Sequence, residues 1–231
     1  MLTVVIVVGV VSASLVVGAV WGAALPLPDR VRGDILAFAG GALITSIAFE
    51  LIEPAIDDSG VRLAAIGLMV GAVVFTVIDY LIDERWDSSG GGGILAAVTT
   101  DGIPENLALG VALIGTTPSA VAALAAAILA SNLPEAAGGA ADLMDDGWSK
   151  VKVIGLWTVT AVILSIAAVA GYFFLEGASD TLLSFIRAFA AGAVLASLAT
   201  EVFPQAFRAA SHETGIATAA GFVLTFILSE L

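Results

Sequence analysis

The sequence contains no cysteine and only one histidine, His212. Without cysteine the chain forms neither disulfides nor thiolate metal sites, and a lone histidine removes the usual imidazole route to transition metals. Lysine and arginine together number eight against 21 aspartates and glutamates, so the formal net charge is −13 and the basic surface of a nucleic-acid-binding protein is missing. Charged residues of all kinds make up 13% of the chain, which is too little polar surface for a soluble domain.

Hydrophobic residues are abundant: they make up 59% of the 231 residues, and the mean hydropathy is +1.06. This composition predicts one helical bundle within a lipid bilayer. Crossing a hydrocarbon core of about 30 Å takes roughly 20 apolar residues, and eight segments meet or nearly meet this length. We therefore predict an all-α membrane protein with one transmembrane domain over residues 1–231. Its eight expected helices span residues 2–24, 35–56, 61–82, 94–116, 119–143, 151–175, 182–206 and 216–231.

The few basic residues predict the orientation of the chain in the membrane, because cytoplasmic loops carry more lysine and arginine. Arg62 and Arg187 fall on one side. The other six fall in or beside the odd-numbered loops: Arg30, Arg32, Arg85, Lys150, Lys152 and Arg208. We expect those loops in the cytoplasm and both termini outside the cell membrane. The N-terminal apolar run lacks a basic start and is too long for a cleaved signal peptide, so we expect it to remain as the first helix.

Two of the predicted helices resemble each other. The stretch "AFAGGALITSIAFELIEPA" (37–55) aligns without gaps to "AFAAGAVLASLATEVFPQA" (188–206), with nine of nineteen positions identical. Glu50 and Glu201 occupy equivalent places. In the predicted topology the second and seventh helices run in opposite directions, as do the fourth and fifth. This pattern favours an inverted repeat over chance similarity between apolar helices, and such repeats build transporters with a substrate site near the bilayer midplane.

Acidic and amide residues interrupt the fourth and fifth predicted helices. Asp101 and Glu105 are four residues apart and share one helix face. Pro104 lacks an N–H and crowds the preceding turn, so we expect the helix to bend or break there, and Pro134 has the same effect in the next helix. Beside that second proline the sequence places three further polar residues: Ser131, Asn132 and Glu135.

Ionised carboxylates near the bilayer centre cost at least ~2.5 kcal/mol each on insertion scales. These acids are therefore either protonated or paired with a cation that enters the space between them. Carboxylate, amide, hydroxyl and carbonyl oxygens together suit a divalent cation. Asp142 lies seven residues past Glu135 on the same helix face and is a candidate exit residue. Glu50 and Glu201 either line this pathway or lie at the membrane interface.

These residues and the internal repeat resemble the ZIP family of zinc- and iron-transporting membrane proteins. That family carries His-Asn-x-Pro-Glu-Gly in its fourth helix and a similar Pro-Glu-Gly stretch in its fifth, where this sequence reads "DGIPEN" (101–106) and "SNLPEA" (131–136). The second and seventh helices also resemble those of the family. The resemblance covers nearly the whole chain and implies eight helices in a 3+2+3 inverted repeat, an elevator-type motion and a homodimer.

The sequence departs from the family at the metal site. Asp101 stands where the family has its first histidine, Gly102 replaces the asparagine, and only Glu105 and Glu135 are unchanged. The usual two-metal arrangement is not expected, and a single oxygen-rich site remains. The predicted metal ligands are Asp101, Glu105, Ser131, Asn132, Glu135 and Glu50. Four further residues are predicted to line the pathway: Asn106, Asp142, Thr200 and Glu201.

The sequence thus predicts a transporter of divalent metal cations of the zinc, iron or manganese class, with the metal as cargo and no prosthetic group. Oxygen ligands make manganese, magnesium and ferrous iron more plausible than in histidine-rich relatives, and zinc remains open because the affinity order of divalent metals still favours it over manganese. The alternative is a ZIP-like protein that has lost metal transport and acts on another solute or as a sensor or scaffold. An enzyme is not expected, because there is no cysteine, no histidine at membrane depth and no serine beside a credible base.

Overall fold

The computed structural model describes residues 2–25, 28–85, 91–114 and 118–229; within its helices the side chains of 2–3, 83, 85, 91–98, 101 and 120 lie outside the description. Every regular element in the described ranges is a helix. The α-helices are α1 (Leu2–Ala24), α2 (Asp29–Ser46), α3 (Glu53–Ser59), α4 (Val61–Arg85), α5 (Gly91–Ala112), α6 (Pro118–Asp145), α7 (Lys150–Leu175), α8 (Asp180–Ser197), α9 (Phe203–Ala210) and α10 (Glu213–Ser229).

Six helical stretches are long and apolar enough to cross a membrane, so the chain is an all-α membrane-embedded protein. They are Val4–Ala24, Asp29–Ser59, Val61–Ile82, Val121–Asp145, Lys150–Leu175 and Asp180–Ala210. The shorter α10 is also apolar, and part of α5 lies outside the described side chains. The count of eight spans therefore stays a prediction.

Two of the long stretches contain a π-helical segment, in which hydrogen bonds reach five residues back. The first segment, Ile47–Ile52, joins α2 to α3, and the second, Leu198–Val202, joins α8 to α9. The N–H of Glu53 donates to the Ala48 carbonyl, and the N–H of Phe203 donates to the Leu198 carbonyl. A proline follows each donor, and the wider π turn relieves the clash of its ring with the carbonyl four residues earlier.

The second predicted helix begins earlier than expected. Helix α2 starts at Asp29 rather than at residue 35, because Pro28 supplies an extended residue before the first turn and Asp29 places a negative charge at the positive end of the helix dipole. Arg30 and Arg32 therefore lie on the helix and not in a loop. The other predicted bounds agree with the structure within about four residues, the accuracy expected of helix ends.

The helices pack as two groups. The first helix group is α1, α5, α6 and α7, in which α1 packs on α6 and α7 while α5 packs on α7. The second helix group is α2, α4, α8 and α10 with the two π segments, in which α2 packs on α10 and α4 packs on α8. The groups meet where α2 packs on α6 and where α8 packs on α5. The polar residues of α5 and α6 thus lie on helices that border the second group.

Glycine lets these helices approach closely. A methyl group at Gly18 or Gly22 of α1 would overlap a backbone carbonyl of α6, and one at Gly71 of α4 would overlap the Phe189 carbonyl of α8. Gly67 is likewise packed against α8. Spaced glycines on membrane helices serve such close packing.

Apolar side chains fill the space between the helix groups. One buried cluster combines Leu43 and Ile47 of the second group with Leu109 and Ile128 of the first. A separate cluster around Trp157 lies within the first group, between α1, α6 and α7. The first group therefore has a core of its own, and apolar side chains also pack at its border with the second group.

Candidate functional site

The backbone remains α-helical through both membrane prolines. Pro104 lies inside α5 and Pro134 lies inside α6, and neither helix is divided at the proline. Neither helix is broken at its proline, so a break is wrong and a bend stays a prediction; neighbouring helices accommodate the displaced backbone groups of a membrane proline without ending the helix. The irregular backbone lies instead in the two π segments, which carry Glu50 and Glu201.

The charges of carboxylates on two other elements act on Glu135 of α6. Glu105 of α5 is buried, and Glu135 of α6 is partly buried. The charged groups that act on Glu135 are Glu105, Glu201 of the second π segment and Arg32 of α2. The charge of Glu105 therefore acts on Glu135 within the first helix group, and the charge of Glu201 acts on it from the second group.

Buried amides accompany these acids. Asn106 and Asn132 expose 1% and 2% of their surface, and Asn106 donates through Nδ2 to the Gly102 carbonyl at 2.9 Å. The Oδ1 of Asn106 and the Nδ2 of Asn132 are buried without a hydrogen-bond partner among the described residues. The buried Ser131 donates its hydroxyl to the Ile128 carbonyl at 3.1 Å, which leaves its oxygen able to accept. Buried polar atoms of this kind usually have partners, so a polar ligand would satisfy them.

Other predicted residues lie apart from this neighbourhood. Glu50 is buried, but its carboxyl shares a hydrogen bond with Ser229 of α10, and it is not among the charges that act on Glu135. Thr200 is exposed and donates to the Ala196 carbonyl of its own helix at 3.1 Å. The side chain of Asp101 lies outside the described residues.

Among the described side chains, no three or more acidic or histidine residues approach closely enough to hold a metal ion together. The predicted ligand set is therefore not assembled as one closed cage by the described residues. Asp101, whose side chain falls outside that set, was one of its three expected carboxylates. The described part of the site is a group of neighbouring carboxylates and amides rather than a finished coordination shell.

Arg32 was not anticipated as part of the site. Its guanidinium lies against Gly138 of α6, one turn beyond Glu135, where any side chain larger than hydrogen would collide with it. Its Nη1 lies 3.8 Å from Oδ2 of the exposed Asp142. In the sequence, Arg32 precedes the predicted start of the second helix at residue 35. The structure starts that helix at Asp29 and so includes Arg32. Its contact with Gly138, far away in the chain, carries no local signature.

No protein-family model matches the chain, and no curated protein matches its sequence significantly. The arrangement of carboxylates, amides and one guanidinium at the border of the two helix groups therefore carries the functional argument.

Proposed function

We propose that this chain is a membrane transporter of divalent metal cations, of the zinc, iron or manganese class, with a single oxygen-rich site between α5 and α6. The observation that carries the proposal is that the charges of Glu105 and Glu201 both act on Glu135. These carboxylates belong to three different elements, and Glu135 and Glu201 lie on helical stretches long and apolar enough to cross a membrane.

The charge balance supports a cation as the occupant. Among the charged groups that act on Glu135, two are carboxylates and one is a guanidinium. Carboxylates held together in a medium of low dielectric repel each other and lose their hydration, so they are stable as anions only with a cation nearby. The unpartnered Oδ1 of Asn106 is a further oxygen of the type that divalent cations bind. Asp101 and Ser131 would complete the ligands under this proposal.

The full architecture belongs to the proposal as well: eight membrane spans in a 3+2+3 inverted repeat, with both termini outside. The position of the π segments supports it, since residues 47–52 correspond to 198–203 in the alignment of the two similar stretches. Packing supports it too. Gly41 of α2 meets the Thr218 carbonyl of α10, and its equivalent Gly192 of α8 meets the Leu68 carbonyl of α4.

The two helix groups supply a means of alternating access. The first group carries the glutamates of α5 and α6, and the second carries Glu201. If the first group slides against the second as a rigid body, the carboxylates of α5 and α6 leave Glu201 and reach the other membrane face. This elevator-type motion requires no rearrangement of the core around Trp157, which lies within the first group.

The second candidate is a ZIP-like protein without metal transport, acting on another solute or as a sensor or scaffold. The observation in its favour is that the described acids and the single histidine do not form a group of three around one point. A homodimer remains an expectation from the family resemblance in either case.

The deciding experiment measures Mn²⁺, Zn²⁺, Fe²⁺ and Cd²⁺ flux into liposomes containing the purified protein. We expect flux of at least one ion, and its loss to the background of empty liposomes in Glu105→Gln and in Glu135→Gln. These changes remove charge and keep shape. Glu53→Gln is the matched control, because Glu53 is an exposed glutamate. Flux that persists in both site variants overturns the proposed site, and folded protein that moves none of the ions favours the second candidate.

A further inference from the structure

Two arginines are largely buried in this bundle, and their charges are balanced to different extents. Arg187 of α8 donates through Nη1 to Asp58 at 3.0 Å and through Nη2 to the Ile114 carbonyl at 2.9 Å. Arg32 of α2 has 14% of its side chain exposed and one long contact of 3.8 Å to Asp142. The Nε of both arginines is buried without a hydrogen-bond partner among the described residues, so the two differ in their anionic contacts. A buried guanidinium needs close anionic partners, and Arg32 is only loosely held by the one it contacts.

Besides Asp142, a second carboxylate, that of Glu135, is affected by the charge of Arg32. The Arg32 guanidinium lies over Gly138, which follows Glu135 by one helical turn. Asp142 is four residues beyond Gly138 on the same helix, and 66% of its side chain is exposed. Along α6 the guanidinium therefore lies over Gly138, between the exposed Asp142 and the partly buried Glu135.

We propose that Arg32 is a tethered counter-cation that competes with the transported metal ion for Glu135. The inference rests on the proposed function and adds a residue that sets affinity and release. With a divalent ion bound, the guanidinium is repelled toward Asp142. When the ion leaves, the guanidinium moves toward Glu135 and balances the charge of its carboxylate.

This competition has a consequence for transport. A site made of several carboxylates holds a divalent ion tightly, and tight binding slows release. A guanidinium of the same chain lowers the affinity and stabilises the empty site, so that the first helix group can return without cargo. Arg32 is thus a positioning residue for the cation and not a ligand.

The test is the dissociation constant of Mn²⁺, titrated by electron paramagnetic resonance on the detergent-purified full chain, with Zn²⁺ as a competitor. Removing the charge in Arg32→Gln should tighten Mn²⁺ binding by about tenfold or more, because a positive charge near a partly buried cation site repels the cation more strongly than it would in bulk water. Arg30→Gln is the matched control. It removes an arginine from the same helix turn, but that arginine pairs with Glu213 and is exposed. Its affinity should equal that of the wild type.

A second pair of variants should change the Mn²⁺ affinity in the opposite direction. Asp142→Asn releases the guanidinium toward Glu135, so Mn²⁺ binding should weaken. Asp145→Asn removes the same charge from the same exposed helix end and leaves the partner of Arg32 in place, so it should weaken binding less. A role of Arg32 in stability alone would lower the melting temperature in Arg32→Gln and Asp142→Asn without moving the two affinities in opposite directions.

The outcomes separate this inference from the proposed function. If wild-type protein binds Mn²⁺ or Zn²⁺ in a manner that Glu135→Gln abolishes, while Arg32→Gln binds as the wild type does, the counter-cation role is wrong and the metal site stands. If wild-type protein binds neither ion, the proposed function fails and the role of Arg32 fails with it. An Arg32→Lys variant guards against misfolding: it keeps the charge, and its affinity should lie nearer to the wild type than that of Arg32→Gln.

Discussion

Small residues decide how closely the helices of this bundle approach, because the lipid supplies no hydrophobic force that would draw apolar helices together. The α1–α6 contact shows this. Gly18 lies on the Leu133 carbonyl and Gly22 lies on the Ala137 carbonyl, so the backbone of α1 touches that of α6 within a turn of Glu135. Each glycine is therefore a packing residue whose effect reaches the candidate site through α6.

At this scale Gly22→Ala should destabilise the fold. The new methyl group would collide with the carbonyl group of Ala137, which is helix backbone and cannot rotate away, so α1 and α6 must separate. Overpacking of this kind costs about 1–3 kcal/mol, and thermal unfolding in detergent, followed by circular dichroism, should show a lower melting temperature. Gly9→Ala is the control, because nothing lies within 4 Å of a methyl group there. Equal melting temperatures for the two variants would refute close packing at Gly22.

At the scale of the element, the two π segments place Glu50 and Glu201 on turns that differ from the helix on either side. A π turn amounts to one extra residue in an otherwise regular helix and is frequent at functional sites. In the aligned stretches the exposed Ala48 and Ala199 occupy equivalent positions inside these segments. Both sequences therefore carry the additional residue at the same point of the repeat.

Deleting Ala199 should convert the second π segment into regular α-helix while α8 and α9 keep their faces. We expect a folded protein with nearly unchanged melting temperature and with cation flux reduced to background, because Glu201 turns away from Glu135. Deleting Ala42, which is buried in the regular part of α2, is the contrasting control. It rotates every following residue by about 100° and should unfold the bundle. Wild-type flux after loss of Ala199 would show that the π turn has no part in transport.

Regular helices follow from the sequence more readily than these irregular ones. Long apolar runs predict helix α7 (Lys150–Leu175) almost to the residue, because length and composition suffice for a membrane span. The π segments escaped prediction because an alignment records which residues recur and not how their carbonyls are bonded. At Pro104 and Pro134 the sequence suggested a helix break that the structure does not have. The sequence shows where a proline lies, but neighbouring helices determine whether the helix continues through it.

The candidate site also contains some residues that the sequence indicates and others that only the packing of distant segments brings near. Glu105 and Glu135 could be predicted because each follows a proline within an apolar helix, an arrangement visible in the sequence. The approach of Glu201, and the contact of Arg32 with Gly138, depend on how α2 and the second π segment pack against α5 and α6. Tertiary contacts between distant segments leave no periodic signal in a single sequence.

At the scale of the whole molecule, the two helix groups are expected to slide against each other during transport. Because the sequence contains no cysteine, this movement can be tested with introduced cysteine pairs. Ile103 of α5 and Ala193 of α8 line one apolar groove of about 280 Å³ at the border between the groups. Ser12 of α1 and Ser165 of α7 lie within the first group, and their hydroxyl oxygens are 2.7 Å apart. Cysteines introduced at either pair would be the only thiols in the protein.

Joining Ile103→Cys to Ala193→Cys with a short bismaleimide should abolish cation flux, because the first helix group can then no longer slide against the second. Oxidising Ser12→Cys and Ser165→Cys to a disulfide should leave flux unchanged, since both residues move together. Flux is measured in liposomes before and after reaction, and single-cysteine variants treated with the same reagent control for modification alone. Full flux through the protein cross-linked at the groove would exclude sliding of the two groups, and transport would then have to proceed by a smaller movement around Glu105 and Glu135.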